Sequence, residues 1–467
     1  MLQGKEPMDE YVIVGAGPAG IFCALELVSK GITKITLIDR GKEVSKRKCP
    51  RRERNIECVA CRVCDITSGF GGAGAWSDGK ITKDISGTVG GWMSDFLTTE
   101  ELAEYTEFVD KTILSFSNGG DRYFQPDPEF VDTMKSLCRK ENMKLITYPI
   151  RHLGTDNASA IMQNIYEFLK DKINIVLKTK VEKILVENGK AVGVSTDKGD
   201  TYKGKRIVMG VGRGGTNWLK DECERLKISY SNNAVDIGVR VETLNEYCDK
   251  FTDNLYEFKI EHVTRTYEDK VRTFCVCPGG YVTTERYDET TCVNGESRTD
   301  IKSPNTNFAI LVTCNFTEPF NQPIQYAKHV ANLANMLSGG NSVLIQRFED
   351  LKSGRRSTKE RLQRSVIKPT LESAVPGDIS FAMPSRVMSD LQDFLTHLNV
   401  IMPGIDGPNT LLYSPEIKLY SIRVDLNNNL ESKDVKNLFF IGDGAGITRG
   451  VMQSAISGLV VARSNQK

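Results

Sequence analysis

The first forty residues carry a β–α–β pattern of hydrophobic and polar positions. Residues 11–14 form a short apolar, β-branched run, which predicts a buried strand. Apolar residues at helical spacing follow over residues 21–30, and Gly31 stands where the end of a helix favours glycine. A second apolar run at residues 34–39 predicts the next strand. Two strands joined by a helix predict a parallel sheet.

The rest of the chain gives a coarser pattern. Residues 100–141 are predicted to be mostly helical with a break at 118–120, and residues 158–172 to form another helix. Turn signals between apolar alternations predict a small β-meander over residues 173–213. Near the C-terminus a strand at 438–441, a glycine turn and a helix at 451–463 repeat the pattern of the first forty residues.

Composition excludes several classes of protein. Of the 467 residues, 40% are hydrophobic and 26% charged, which is typical of a folded, soluble chain. No apolar run is long enough to span a membrane, and no secretory signal is recognisable, so we expect a cytoplasmic protein with no membrane partner. The net charge of +1 argues against nucleic acid as a partner. The twelve cysteines are expected to be mostly reduced.

A glycine triplet lies between the first strand and the first helix. Gly15-x-Gly17-x-x-Gly20 is followed by Asp39 at the end of the second strand. In this context the triplet is the dinucleotide-binding fingerprint, in which the glycines allow a tight turn and the approach of a pyrophosphate, and the acid binds a ribose. The competing interpretation is a chance glycine turn.

A second motif separates FAD from NAD. Residues 437–446 run from a strand into Gly442-Asp443-Gly444 before the last helix, and resemble the second FAD motif of two-domain flavoproteins. That resemblance implies that Asp443 binds the flavin ribityl chain and that Val181 lies near the adenine. The competing interpretation is an aspartate in an ordinary turn. Residues 210–215 give another triplet, either an NAD(P)H motif or, as we prefer, the strand that closes the FAD domain.

Four closely spaced cysteines, Cys49, Cys58, Cys61 and Cys64, form the second chemical feature. Converging thiolates suit zinc or an iron–sulfur cluster. Two alternatives stay open: a redox disulfide between Cys58 and Cys61 or between Cys61 and Cys64, and simple packing. The accompanying basic run at residues 42–54 is expected to be a solvated surface.

The four histidines give no metal motif. His152 is a lone histidine that is expected to be structural, and His262, His329 and His397 have no ligand-like spacing.

Several longer stretches carry a resemblance to a known family. They are residues 71–80, 151–156, 236–242, 277–281 and 293–297. With these stretches the chain resembles the bacterial family of uncharacterised FAD-dependent dehydrogenases, also called NAD(FAD)-utilising dehydrogenases. The resemblance implies FAD and a glutathione-reductase-like fold. The chain departs from the family at residues 447–450 and 413–416, so a relative's substrate does not transfer.

The predicted fold class is α/β, with a Rossmann-like FAD-binding domain of glutathione-reductase type 2 and an inserted mixed α/β substrate domain that covers the flavin ring. The predicted segments are a first FAD-binding part with the cysteine-rich loop at 1–90, a helical insert at 91–140, a second FAD-binding part with the meander at 141–224, the substrate domain at 225–410, and a C-terminal FAD-binding part at 411–467.

The predicted function is an FAD-dependent oxidoreductase or dehydrogenase acting on a small organic molecule, with NAD(P)H or a ferredoxin-like protein as electron donor. The alternatives are an electron-transfer flavoprotein with a Cys-ligated cluster and a non-catalytic flavin or metal sensor. Lys80 and Arg449 are the candidate catalytic residues. The predicted cofactor-binding residues are Gly15, Gly17, Pro18, Ala19, Gly20, Asp39, Arg40, Gly72, Ala73, Ser77, Asp78, Val181, Gly212, Gly442, Asp443, Gly444 and Met452.

Overall fold

The computed structural model describes residues 8–54, 59, 61–77, 79–85, 89–287, 290–297 and 301–464. The chain divides into two compact units. Unit 1 comprises Met1–Tyr123, Pro149–Asn233 and Tyr420–Lys467, and unit 2 comprises Phe124–Tyr148 and Ala234–Leu419. None of the helices in the described part of the chain has the length and apolar character that a bilayer crossing requires.

The elements follow one another in a mixed α/β order. The strands are β1 Asp9–Val14, β2 Ile35–Ile38, β3 Lys80–Thr82, β4 Arg122–Phe124, β5 Met143–Ile146, β6 Ile150–His152, β7 Asn174–Val176, β8 Val181–Glu187, β9 Lys190–Thr196, β10 Thr201–Met209, β11 Tyr230–Ser231, β12 Val235–Leu244, β13 Lys259–Val263, β14 Lys270–Cys277, β15 Tyr281–Tyr287, β16 Thr290–Glu296, β17 Asn305–Cys314, β18 Leu344–Arg347, β19 Val375–Pro376, β20 Leu411–Lys418, β21 Arg423–Val424 and β22 Leu438–Phe440. The helices are α1 Pro18–Ser29, α2 Pro50–Arg54, α3 Thr99–Ser115, α4 Pro128–Lys140, α5 Thr155–Lys170, α6 Thr216–Leu226, α7 Asn245–Leu255, α8 Pro323–Leu337, α9 Phe348–Lys352, α10 Lys359–Arg364, α11 Ser385–Ile401 and α12 Val451–Arg463.

Unit 1 is built on a parallel sheet. Strands β7, β2, β1, β10 and β22 lie side by side in that order, and each neighbouring pair is parallel. The predicted β–α–β start and the parallel sheet are therefore confirmed. Residues 11–14 of β1 and all four residues of β2 are buried, as continuous apolar runs in a parallel sheet require.

Strand β10 belongs to two sheets. Its second half joins β1 and β22 in the parallel sheet, while its first half pairs antiparallel with β9, and β9 pairs with β8. The meander is therefore β8–β9–β10. The predicted range of 173–213 began too early, because Asn174–Val176 is a parallel strand beside β2. A three-residue apolar run gives no period that distinguishes these two roles.

Helices α1 and α12 pack closely together in unit 1. A Cβ added to Gly458 of α12 would lie only 2.1 Å from the carbonyl oxygen of Ala19, so the two backbones touch at this glycine. Helix α1 begins with Pro18 at its first position, where the missing N–H has no helical partner to lose. The predicted helix at residues 451–463 is confirmed at both ends by α12.

Unit 2 is built on a second, mostly antiparallel sheet. Its strand order is β19–β18–β20–β12–β17–β14–β13–β5. Strand β5 comes from the segment Phe124–Tyr148, and it pairs with β13 more than 100 residues later in the chain. That pairing explains why residues 124–148 belong to unit 2. The units divide at residues 123/124, 148/149, 233/234 and 419/420, whereas the sequence suggested boundaries at 90/91, 140/141, 224/225 and 410/411.

A buried ion-pair cluster connects three segments of unit 1. The Asp110 carboxylate on α3 accepts hydrogen bonds from Arg151 Nε at 2.7 Å and from Lys83 Nζ at 2.8 Å. Its side chain is 3% exposed. Burial alone would raise the pKa of Asp110, but the hydrogen bonds from Arg151 and Lys83 outweigh it and hold the pKa below its ordinary value.

We expect Asp110→Asn to lower the free energy of unfolding by about 1.5–3 kcal/mol at pH 7, because Arg151 and Lys83 each lose one charged hydrogen-bond partner and retain one other carboxylate, Asp121 and Glu107 respectively. Ionised Asp110 contributes stability above its unfolded pKa of about 3.9, and this contribution is lost as pH falls through the lower folded pKa. Urea unfolding between pH 3 and 7 measures both effects, and the free energy of unfolding of the variant should fall less steeply as the pH is lowered. The exposed Asp221→Asn serves as control and should change stability by less than about 0.5 kcal/mol. Equal losses in both variants would contradict the role of Asp110.

Candidate functional site

The turn between β1 and α1 allows no side chain at two of its glycines. Gly15 has φ +104°, and a Cβ there would lie 2.0 Å from the carbonyl oxygen of Gly210. A Cβ on Gly20 would lie 2.0 Å from the carbonyl oxygen of Gly15. The first turn of α1 therefore packs directly against the end of β1, and the residue that follows β10 packs against Gly15 as well.

Around the third glycine of the motif, no heavy atom would come closer to an added Cβ than ordinary van der Waals contact. Gly17 is the N-cap residue of α1, and the nearest heavy atom to a Cβ placed there would be Gly72 Cα, at 3.9 Å. The first N–H groups of a helix have no helical acceptor and carry the positive end of the helix dipole. Open space in front of such a terminus suits a phosphate. The pyrophosphate of a dinucleotide therefore fits beside Gly17 and Pro18, with Ala19 buried behind them.

Asp39 follows β2 and holds three backbone segments. Its Oδ2 accepts a hydrogen bond from the Ala16 N–H at 2.9 Å, and its Oδ1 accepts from the N–H groups of Gly41 at 2.7 Å and Gly69 at 2.9 Å. The sequence assigned Asp39 to a ribose. The structure adds that the same carboxylate fixes the β1–α1 turn and the glycine-rich loop relative to β2.

Arg47 is a positioning residue that sequence reasoning missed. It belongs to the basic run expected to be solvated, yet it is 2% exposed. Its guanidinium donates to the carbonyl oxygens of Asp65, Ile66, Phe70 and Gly72, at distances from 2.7 to 2.8 Å. Burial lowers the pKa of Arg47 to about 10. One buried cation thus shapes the loop that leads to the predicted FAD contacts, and nothing in the pattern of charges distinguished it from its exposed neighbours.

The glycine-rich loop lies against the N-termini of α1 and α12. It contains a short helical turn, Gly72–Trp76. A Cβ on Gly74 would lie 3.1 Å from Pro18 Cγ and 3.4 Å from Val451 Cγ2. In this loop Ala73 is exposed, and Ser77 Oγ donates to the Gly74 carbonyl at 3.0 Å. Asp78 lies outside the described residues.

The second predicted FAD motif, residues 437–446, lies next to the glycine turn that follows β10. Asp443 Oδ1 accepts hydrogen bonds from Thr448 Oγ1 at 2.8 Å and from Ser454 Oγ at 2.9 Å, which fixes the carboxylate near the first turn of α12. Gly442 has φ +72°, and a Cβ on Gly444 would lie 2.8 Å from the Gly212 nitrogen. The motifs at 210–215 and 442–446 therefore touch. Buried Met452 lies in the first turn of α12.

The remaining predicted nucleotide contacts lie where β8 begins. The N–H of Lys178 donates to the Gly41 carbonyl at 2.8 Å and that of Thr179 to the Asp39 carbonyl at 3.0 Å. Buried Val181 therefore starts β8 close to the end of β2. Arg40, the residue after Asp39, donates from Nε to Ser68 Oγ at 3.0 Å.

The two candidate catalytic cations are in different surroundings. Arg449 stacks between the rings of Trp92 and Tyr420, with its guanidinium carbon 4.2 Å and 3.4 Å from the ring centroids. Such cation–π contacts hold a guanidinium in one orientation. Lys80 begins β3, opposite buried His152 on β6. The two cations were identified from the sequence, whereas the packing of Arg449 between two aromatic rings is visible only in the fold.

The predicted cysteine metal site has three of its four residues in the described part of the chain. Cys49, Cys61 and Cys64 are free thiols, and Cys61 and Cys64 are exposed. Within the described residues these three sulfurs are not gathered at metal-binding distances from one another. Cys58 lies outside the described residues, so the four-cysteine site stays a prediction.

Comparison with known proteins gives one relative of unassigned activity and distant structural similarities. The chain is 26% identical over 471 residues to an uncharacterised protein of Clostridium beijerinckii, covering 97% of this chain and 79% of the relative. It is 12% identical to L-proline dehydrogenase from P. horikoshii, with a TM-score of 0.42 and coverage of 99% of this chain and 94% of that chain. Glycerol-3-phosphate dehydrogenase from Bacillus halodurans, solved with FAD, is 12% identical with a TM-score of 0.39, covering 98% of this chain and 64% of that chain.

A family model gives the more specific result. The family described as "FAD-dependent protein, C-terminal domain-like" matches residues 234–418. These bounds coincide, within one residue, with the second segment of unit 2, Ala234–Leu419. Residues 234–418 are therefore similar to the C-terminal domain of this FAD-dependent family, and the match supports FAD as the cofactor.

Proposed function

We propose that the chain is an FAD-dependent oxidoreductase that acts on a small organic substrate, with unit 1 as a FAD-binding domain of glutathione-reductase type. The observation that carries the proposal is the open N-terminus of α1 at Gly17, with Asp39 at the end of the neighbouring parallel strand. Dinucleotides bind at the carboxyl ends of the strands of such sheets, with the pyrophosphate on the helix terminus.

The residues of unit 1 provide a binding surface along the length of FAD. The N–H groups at the start of α1 hold the pyrophosphate, Asp39 takes the adenosine ribose, and Val181 borders the adenine. Asp443, fixed by Thr448 and Ser454, takes the ribityl chain. When bound, FAD supplies the electron-transfer chemistry. The protein's part is to bind the cofactor in one orientation and to position Lys80 and Arg449.

The decisive experiment for this proposal is anaerobic reduction of the FAD-loaded protein. NADH, NADPH and a reduced ferredoxin are mixed with it separately, and loss of the visible flavin absorption is followed in time. Reduction by one donor, followed by turnover with an organic acceptor, supports the oxidoreductase. Stoichiometric FAD that no donor reduces points instead to the non-catalytic sensor.

We expect Gly17→Val to weaken FAD binding by about 100-fold, because its branched side chain fills the space in front of the α1 terminus; a loss of that size is about 2.8 kcal/mol. Gly17 has φ −82°, a conformation that valine also adopts, so the variant should fold. Gly17→Ala adds a single methyl group and should lose less. Equilibrium titration of the apoprotein with FAD measures all three constants. Unchanged affinity in Gly17→Val would place the pyrophosphate elsewhere.

We expect Lys80→Ala or Arg449→Ala to lower the flavin midpoint potential by about 30 mV, equivalent to about 1.4 kcal/mol for a two-electron couple. The reason is that loss of a nearby cation disfavours the gain of electrons. Spectroelectrochemical titration measures the shift. Lys220→Ala serves as the control, because Lys220 is a lysine of α6 whose side chain is partly exposed. Potentials equal to wild type in both variants would remove these cations from the cofactor's surroundings.

A further inference from the structure

A cluster of two histidines and an aspartate lies in unit 2, on elements far apart in sequence. His262 is on β13, and Asp393 and His397 stand one helical turn apart on α11. His262 Nε2 lies 3.2 Å from Asp393 Oδ2, and His397 Nε2 lies 3.6 Å from Asp393 Oδ1. One ligand atom from each of the three side chains lies within 4.8 Å of the other two. The sequence offered no ligand-like spacing for His262 and His397, and the fold brings them together.

The outer nitrogen of each imidazole faces an oxygen acceptor. His262 Nδ1 lies 3.0 Å from the carbonyl oxygen of Asn142, and His397 Nδ1 lies 2.9 Å from Glu141 Oε2. Histidines that bind a metal commonly donate their second N–H to a backbone carbonyl or a carboxylate, which directs the other nitrogen's lone pair at the metal. Both arrangements occur here, side by side.

A hydrogen-bonded cluster without a metal explains these distances less well. Because a neutral imidazole has one N–H, a cluster without a metal would need a second proton on each ring to donate to an oxygen at both nitrogens, and two such cations would lie side by side with ring centroids 4.9 Å apart. The 3.6 Å separation between His397 Nε2 and Asp393 Oδ1 is also too long for a hydrogen bond. A cation bound between the inner nitrogens and the carboxylate satisfies every one of these atoms.

We propose that His262, Asp393 and His397 bind a zinc ion. For tetrahedral zinc with bonds of about 2.0–2.1 Å, neighbouring ligand atoms are about 3.3–3.4 Å apart. His262 Nε2 lies 3.2 Å from Asp393 Oδ2 and His397 Nε2 lies 3.6 Å from Asp393 Oδ1, so each imidazole is near this distance from one oxygen of the carboxylate, and one atom from each of the three residues lies within 4.8 Å of the others. Two imidazoles and one carboxylate are a ligand set that zinc accepts, and water completes the fourth position.

The site joins separate parts of unit 2. It connects β13 and α11 directly, and through Glu141 and Asn142 it reaches the residues between α4 and β5. These residues belong to the segment Phe124–Tyr148, which enters unit 2 from a distant part of the chain. Because the unfolded chain lacks the assembled site, bound zinc stabilises the folded form of unit 2.

Tag-free, full-length protein carrying FAD is equilibrated with zinc, freed of excess metal and analysed by mass spectrometry for zinc per chain. We expect about one zinc per chain in the wild type and loss of at least nine-tenths of it in His262→Gln and His397→Gln. Glu141→Gln should weaken zinc binding by about 10–100-fold while leaving the ligands in place. His329→Gln, the same change at an exposed histidine of α8, should retain the zinc.

Cobalt replacement distinguishes this site from the cysteines. Co²⁺ bound by nitrogen and oxygen gives visible bands of a four- or five-coordinate ion without the near-ultraviolet band of a thiolate ligand, and Cys61→Ser should leave this spectrum unchanged. This measurement needs no ligand variant to fold. A wild type that retains no zinc overturns the proposal, as does equal zinc in wild type, His262→Gln and His397→Gln, or a thiolate spectrum lost in Cys61→Ser.

Discussion

The contact of backbone on backbone at Gly15 is the constraint on which the rest of unit 1 depends. Its missing Cβ lets β10 approach from one side, and the missing Cβ of Gly20 lets α1 rest on its carbonyl from the other. Any side chain at either position would push one of these elements away by more than an ångström. Because the contact fixes the start of α1 against the ends of β1 and β10, it sets both the direction of the helix dipole and the opening at Gly17.

Two charged side chains, half-buried Asp39 and buried Arg47, then position the segments that surround that opening. Asp39 collects N–H groups from the turn, from its own loop and from the glycine-rich loop, and Arg47 collects carbonyl groups from the same loop. Each side chain satisfies backbone groups that would otherwise be buried without partners. The loop that carries Gly72 and Ser77 has little regular secondary structure. Its position is determined instead by the hydrogen bonds that its backbone makes with Asp39 and Arg47.

Unit 2 shows how a distant segment becomes part of a sheet. Strand β5 precedes β13 by more than 100 residues, and its pairing carries Glu141 and Asn142 to the histidines of β13 and α11. The approach of β5 is a property of long-range pairing and not of any local pattern. The same pairing explains why a boundary placed at residue 140 separates a helix from the strand with which it packs.

The sequence by itself determined the β–α–β start, the parallel sheet, the last helix and a dinucleotide site, because each depends on local periodicity or on glycines whose spacing a tight turn dictates. FAD as the dinucleotide followed from the resemblance of residues 437–446 to the second FAD motif of flavoproteins. The same resemblance implied that Asp443 binds the flavin ribityl chain. Tertiary structure alone decided that Arg47 is buried, that Arg449 stands between two aromatic rings, and that His262 meets Asp393 and His397. The physical reason is that burial and side-chain convergence depend on which distant elements pack together, and neither periodicity nor spacing encodes those distances.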